Sequence, residues 1–255
     1  MNGRSDRLSA TLGSGAVFLA LLALWWAASH GGWISRVFLP TPEATAASLR
    51  EGRDGGELGS FTLATTLRML EGWLLASVLG VALGALIGVS ATARSYLQPT
   101  LEFIRPLPAS ALLPLAISIF GLDPNMVLFV IAFGAMWPVL LATMHGFAAV
   151  EPRLAEVSRC LQMSRPAFVW KVGLPNAMPD ILAGMRLSMT VSLIVAVVGE
   201  MIASQPGLGQ AILLAARAFR ASELFAGIVL LGLIGLASNA LLALVERRLL
   251  KWQSP

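Results

Sequence analysis

The stretch WLLASVLGVALGALIGVS, residues 73–90, carries no charged side chain. A helix needs roughly 20 mostly apolar residues to cross a bilayer, where its backbone polar groups can be satisfied only within the segment. This run reaches that length with the residues before it, and five other stretches reach it too. The predicted spans cover about residues 10–29, 63–90, 100–120, 124–147, 178–204 and 223–245. Only 13% of the chain is charged, against about a quarter in soluble domains. The expectation is an all-α membrane protein with six transmembrane helices, built as a single domain over residues 1–255. The first span follows Arg4 and Arg7, as a signal peptide would. Its apolar run is long and five more spans follow, so it reads as an uncleaved helix.

Lysine and arginine in short loops set the orientation. With the N-terminus inside, the inner segments hold Arg4, Arg7, Arg94, Arg153, Arg159, Arg165, Lys171, Arg247, Arg248 and Lys251. The outer segments hold Arg36, Arg50, Arg53, Arg217 and Arg220, half as many. Both termini of this multi-pass protein are therefore expected to be cytoplasmic. The segment FLPTPEATAASLREGRDGGELGS reads as a short external helix: Thr41 can cap it, Pro42 suits its first position, and Glu43 favours its positive end. Glycines 52, 55 and 56 are expected to break it. The second span carries Gly80, Gly84 and Gly88 at every fourth residue, a stripe that lets another helix approach closely.

No catalytic pattern is visible. Two histidines, His30 and His145, and the lone Cys160 do not suggest a metal site, and one cysteine forms no internal disulfide. No glycine-rich phosphate loop with its lysine occurs, and no serine sits in a nucleophile elbow. The expectation is a non-enzyme without a cofactor. The sequence pI near 10.2 raises nucleic acid as a partner. There is no clustered basic face with interleaved aromatics, so the charge reads as positive-inside bias, with no nucleic acid bound.

Ionisable residues inside lipid are expensive and face protein or water. Arg68 and Glu71, and again Glu102 and Arg105, stand three apart and read as interfacial ion pairs. Arg186 lies near enough to the cytoplasm to snorkel. Glu200, in SLIVAVVGEMIAS, has no basic partner close in sequence. It either lines a polar path or marks the outer end of the fifth span. Pro106, Pro108 and Pro114 remove backbone donors within the third span, which places that span inside the bundle, where freed carbonyls find partners. Arg105, Pro108, Pro114 and Glu200 are the candidate translocation-path residues.

The loop between the fourth and fifth spans, about residues 151–177, is a polar hairpin. Pro152 can start a helix running to about Met163, with Leu154, Val157 and Leu161 as an apolar stripe. Ser164 can cap a second short helix carrying Phe168 and Val172 on one face, ended by Gly173 and Pro175. Such a pair either folds back on the membrane surface or docks on a partner.

The hairpin resembles the EAA loop of ABC-importer permeases, in which Glu-Ala-Ala is followed by a glycine, an apolar residue and Leu-Pro at fixed offsets. Glu156 is the acidic start, Val157 and Ser158 replace the alanines, Gln162 stands at the glycine, Val172 at the apolar position, and Leu174 and Pro175 close the pattern. With glycine lost, the first helix is expected to run on to Met163 and break at Ser164. FLPTPEATAASL, RPLPASALLPLAISIFGLD and GEMIASQPGLGQAI are similar to further segments of the nitrate/sulfonate/taurine branch, so the likeness covers roughly residues 35–250.

The resemblance implies a permease subunit of a bacterial inner membrane, without catalysis of its own. It would pair with a second copy, dock on a cytoplasmic ABC ATPase dimer, and receive a small anionic solute from a periplasmic or lipoprotein solute-binding protein. The loop would be the coupling helix, with Glu156, Val157, Ser158, Leu161, Gln162, Ser164, Arg165, Leu174 and Pro175 as docking residues. A stand-alone ion-coupled secondary transporter is the alternative; it expects two related halves and lone midplane charges, for which Glu200 is the one candidate.

Overall fold

A computed structural model of the chain describes residues 3–32, 34–55 and 57–251, with side chains described from residue 13 onward. The side chains of Arg4 and Arg7, counted above on the inner side, and Gly56, counted among the helix breakers, lie outside the described residues. Every regular element among the described residues is helical. The helices are α1 (Gly3–His30), α2 (Pro42–Asp54), α3 (Glu57–Val89), α4 (Ala91–Ile104), α5 (Leu113–Phe120), α6 (Pro124–Ala148), α7 (Pro152–Cys160), α8 (Arg165–Phe168), α9 (Leu174–Ala203), α10 (Leu208–Arg217) and α11 (Ala221–Leu249). A 3₁₀ turn, Ala109–Leu112, precedes α5, and a π turn, Val169–Gly173, joins α8 to α9.

Five of these stretches are long and apolar enough to cross a membrane, or six if the bent pair Ala91–Ile104 and Ala109–Phe120 counts as one broken span. That pair stands where the proline-interrupted third span is expected over 100–120, and it begins nine residues earlier, at Ala91. Its halves meet at 81°. The prolines explain the angle. Pro106 and Pro108 lie in the non-helical link, and Pro114 sits in the first turn of α5, where its missing N–H costs nothing. Placement inside the bundle holds for one half only. Leu113 and Ala116 of α5 are fully buried, whereas α4 buries none of its residues.

The chain falls into two compact units, residues 1–60 with 211–230 and residues 61–210 with 231–255. In the first, the indole of Trp25 donates to the Pro40 carbonyl at 2.9 Å and stacks on Phe225, and Trp26 donates to Glu43 at 3.0 Å. Thr41 caps α2 by accepting from the Ala44 N–H, and Pro42 and Glu43 open the helix as expected. Gly52 does not break α2; the helix continues to Asp54 and ends on Gly55.

The second unit is organised on α6, buried on several faces from Met126 to Phe147. The α3 glycines meet it. A Cβ on Gly80 would stand 2.8 Å from Val139 Cβ, one on Gly84 2.6 Å from Thr143 Cβ, and one on Gly88 2.7 Å from Phe147 Cβ. The fourfold spacing of one helix thus answers residues 139, 143 and 147 of the other, one turn apart. On its other side α6 packs along α9, where Gly184 approaches the Pro138 carbonyl and Gly146 approaches Ala177. Ser188 donates to the Ala135 carbonyl at 2.7 Å and Asn176 to the Gly146 carbonyl at 3.0 Å. Lipid gives helices no hydrophobic drive to associate, so close approach and interhelical hydrogen bonds carry this packing.

Candidate functional site

The polar loop follows directly from the end of α6. Pro152 opens α7 as expected, but the helix stops at Cys160 and does not run to Met163. Gln162 adopts φ +50°, the left-handed conformation that favours glycine. The Gln162 N–H donates to the Arg159 carbonyl at 2.9 Å and the Met163 N–H to the Ser158 carbonyl at 3.0 Å. These are the two reverse bonds of a Schellman stop, with Gln162 where glycine usually sits. The break therefore falls at Gln162 and not at Ser164. The turn keeps the backbone a glycine would give it and bears the steric cost of a side chain.

Ser164 caps the next turn by accepting from the Ala167 N–H at 3.4 Å. The expected stop at Gly173 and Pro175 is absent. The π turn carries α8 into α9, with the Leu174 N–H reaching back to Val169. Pro175 would clash with a carbonyl four residues back in a regular helix, and the wider turn accommodates it. Gly173 has a different duty: a Cβ there would stand 2.4 Å from the Phe147 ring.

Leu154, Val157 and Leu161 are 45%, 53% and 68% exposed, so the apolar stripe of α7 has no cover among the described residues. Glu156, Gln162, Ser164 and Arg165 are exposed with it, while Ser158 is buried and bonds back to the Leu154 carbonyl. Leu174 packs inward with Phe147, Ala177 and Ile181, away from that surface. Pro175 is exposed beside it.

At the far end of α9, Glu200 is fully buried and is not alone. It pairs with Arg68, accepts from Thr65 Oγ1 at 3.0 Å, and accepts from the Gly209 N–H at 2.9 Å. Thr65 Oγ1 in turn accepts from the Leu208 N–H at 2.9 Å. Two orphan donors at the start of α10 are thereby satisfied by groups from α9 and α3. The guanidinium of Arg68 also lies 3.4 Å from the Pro206 carbonyl. The expected Arg68–Glu71 pair is thus replaced by a pairing across 132 positions. The lone charge counted toward an ion-coupled transporter has a partner. Opposite charges near the ends of two spans are the available signal, and sequence proximity points to the wrong acid. Arg186 likewise pairs with Glu246 instead of standing free.

The second expected pair, Glu102 with Arg105, does not form either; Glu102 accepts from Gln98 at 2.8 Å. Arg105 stands at the 81° break and lines two open-sided cavities. One, of about 240 Å³, is also bordered by Arg94, Gln98, Glu102 and His145. The other, of about 330 Å³, is bordered by Ser110, Gly134, Trp137 and residues of α9. Pro108 lies in the link next to this wall, Pro114 starts α5, and Glu200 borders neither cavity. Among the described residues no group of histidine, cysteine and acidic side chains could hold a metal ion.

Comparison with known proteins agrees with this architecture. Residues 76–251 match the family described as "Binding-protein-dependent transport system inner membrane component". A Bacillus subtilis (strain 168) protein named as an SsuC-type aliphatic sulfonates transport permease is 35% identical, over 92% of this chain and 85% of its own. The taurine transport system permease protein TauC of Escherichia coli (strain K12) is 29% identical over 97% and 91%. The nitrate import permease protein NrtB of Leptolyngbya laminosa is 33% identical over 72% and 66%. With the family matched over most of its length, the chain belongs to the inner-membrane components of binding-protein-dependent transport systems, as a multi-pass transport permease.

Proposed function

We propose that the chain is the permease subunit of an ATP-driven importer for a small anionic solute such as a sulfonate, taurine or nitrate. It pairs with a second copy of itself, docks on a cytoplasmic ATPase dimer and receives solute from an external binding protein. The chain acts as one permease domain with six spans, the third broken at Arg105, and both termini lie in the cytoplasm. The observation that carries this reading is the bare apolar stripe of α7, stopped by a Schellman turn at Gln162. Three large apolar side chains on a polar loop gain about 25 cal/mol per Å² when a partner covers them. Glu156, exposed beside the stripe, supplies the acid for a basic groove on the ATPase.

A coupling contact must differ in free energy between the two states of the transporter, otherwise nucleotide could not bias them. α7 meets the chemical side of that requirement. Its charged and apolar groups lie on one short helix, and beyond the turn at Gln162 α8 runs through the π turn into α9. The path itself is assigned to Arg105 and the break that Pro108 and Pro114 create, with Glu200 acting at its outer end through α10.

The test is copurification. The wild-type chain, coexpressed with its partner ABC ATPase, should be recovered as a complex whose ATP hydrolysis rises when loaded binding protein is added. Glu156→Lys should insert normally and lose that complex or its stimulation. Normal transport by Glu156→Lys would sink the docking assignment.

A further inference from the structure

We propose that Arg105 selects the charge of the solute, holding a small oxyanion as it passes between the two cavities that this residue alone joins. The inference rests on the permease reading and adds to it a mechanism of selection. Arg105 is the one residue common to the borders of both cavities. Its guanidinium takes neither a carboxylate nor a carbonyl among the described residues. That sets it apart. Arg68 is neutralised by Glu200, Arg186 by Glu246, and Arg94 donates to the Gly88 carbonyl at 2.8 Å. An arginine midway along a membrane-crossing segment is expensive unless it pairs or faces water, so an unpartnered one at a cavity wall marks a site for an anion.

The surroundings fit that ligand. In the larger cavity Arg105 is the sole charged residue, set with the Ser110 hydroxyl against apolar side chains of α6 and α9. Low polarity around a single cation strengthens its pull on an anion and rejects cations by the same field. In the smaller cavity Arg105 is joined by Arg94 and His145, while Glu102 is engaged by Gln98. The planar fork of the guanidinium binds two oxygens of one oxyanion, which a lysine ammonium does not do. The 81° break is what allows a single side chain to border both spaces.

The experiment uses the full chain in lipid nanodiscs with Cys160→Ala, and one reporter cysteine at a time: Ala148→Cys in the smaller cavity, Leu107→Cys in the larger, and Ser60→Cys outside both. Each is labelled with a negatively charged methanethiosulfonate ethylsulfonate and with its positively charged trimethylammonium counterpart. Normalised to the Ser60→Cys control, the anionic reagent should react faster at both cavity reporters. Arg105→Gln should lower that preference about tenfold at both, and Arg105→Lys should retain most of it. Size-exclusion profiles check that each variant is intact. An unchanged preference in Arg105→Gln, a change at one reporter only, or no reaction at either would each overturn the proposal. Labelling needs no ATPase. Failure to recover an ATPase complex would remove the importer reading and leave this site standing, while a stimulated complex with unchanged labelling would remove this site alone.

Discussion

Replacing Arg68 by leucine should free the start of α10. The substitution leaves the Glu200 carboxylate, 0% exposed, with only Thr65 Oγ1 and the Gly209 N–H as donors. Removing one partner of a buried ion pair costs about 3–5 kcal/mol, because the remaining charge stays desolvated. Arg68 is itself 13% exposed, so the lower end applies, about 3 kcal/mol. The Leu208 and Gly209 amides are held by this cluster, so the cost should appear there as easier local opening. At 1.4 kcal/mol per tenfold, their hydrogen exchange should accelerate by roughly 100-fold, while amides in α6 change little. Glu200→Gln should cost less, since the amide oxygen can still accept from Gly209. The double variant should cost less than the sum of the singles by about 1–3 kcal/mol, the sign of direct coupling. Hydrogen exchange with mass spectrometry in detergent or nanodiscs, on peptides covering residues 205–217, reads the effect. Acceleration below about threefold in Arg68→Leu, or strict additivity in the double variant, would refute the assignment of this pair as the anchor of α10.

Gln162→Gly should strengthen the loop turn. A non-glycine residue in the left-handed region costs about 1–2 kcal/mol, and glycine returns about half of that through unfolded-state entropy. A net gain of about 0.5–1 kcal/mol, seen as slower exchange of the Met163 amide, is expected. Gly84→Ala should destabilise the chain by about 1–3 kcal/mol, because its Cβ would meet Thr143 Cβ at 2.6 Å and the Leu140 carbonyl at 2.7 Å. Gly232→Ala, with nothing within 4 Å, serves as the control and should be neutral or mildly stabilising in thermal unfolding. Glu156→Lys should leave folding intact and abolish recovery of the ATPase complex.

How much could be read in advance depended on the range of the interaction. The Thr41–Pro42–Glu43 start of α2 is local chemistry and was legible residue by residue. The glycine stripe of α3 was legible as a surface for close approach, though nothing in its spacing named α6 as the partner. The ends of α7 and α8 were misread for opposite reasons. Gln162 was denied the left-handed turn because propensity disfavours it, yet the reverse bonds to Ser158 and Arg159 hold it there. Gly173 and Pro175 were given breaking power because propensity grants it, yet packing on Phe147 and a π turn carry the helix through. Local capping bonds decide the first position, and packing on Phe147 with the π turn decides the second. Charge pairing was least legible of all. Arg68 and Glu71 share a helical face, and only the fold reveals that the partner lies 132 positions away.

The uninterrupted course from Arg165 to Ala203 has a mechanical consequence. Thirty-nine residues at about 1.5 Å each make a strut of roughly 55 Å, longer than the hydrocarbon layer is thick. One end stands beside the bare stripe of α7, and the other ends in the Glu200 cluster that holds α10. A strut has leverage. Tilted by about 5° about one end, its other end travels about 5 Å, roughly one helical turn. The π turn at residues 169–173 and Pro179 inside α9 both interrupt its regular hydrogen bonding, near the end that stands beside α7. Had Gly173 and Pro175 broken the helix, displacement at the loop would have been absorbed within a few residues. Their absorption into a continuous helix leaves a body long enough to carry such a displacement across a bilayer.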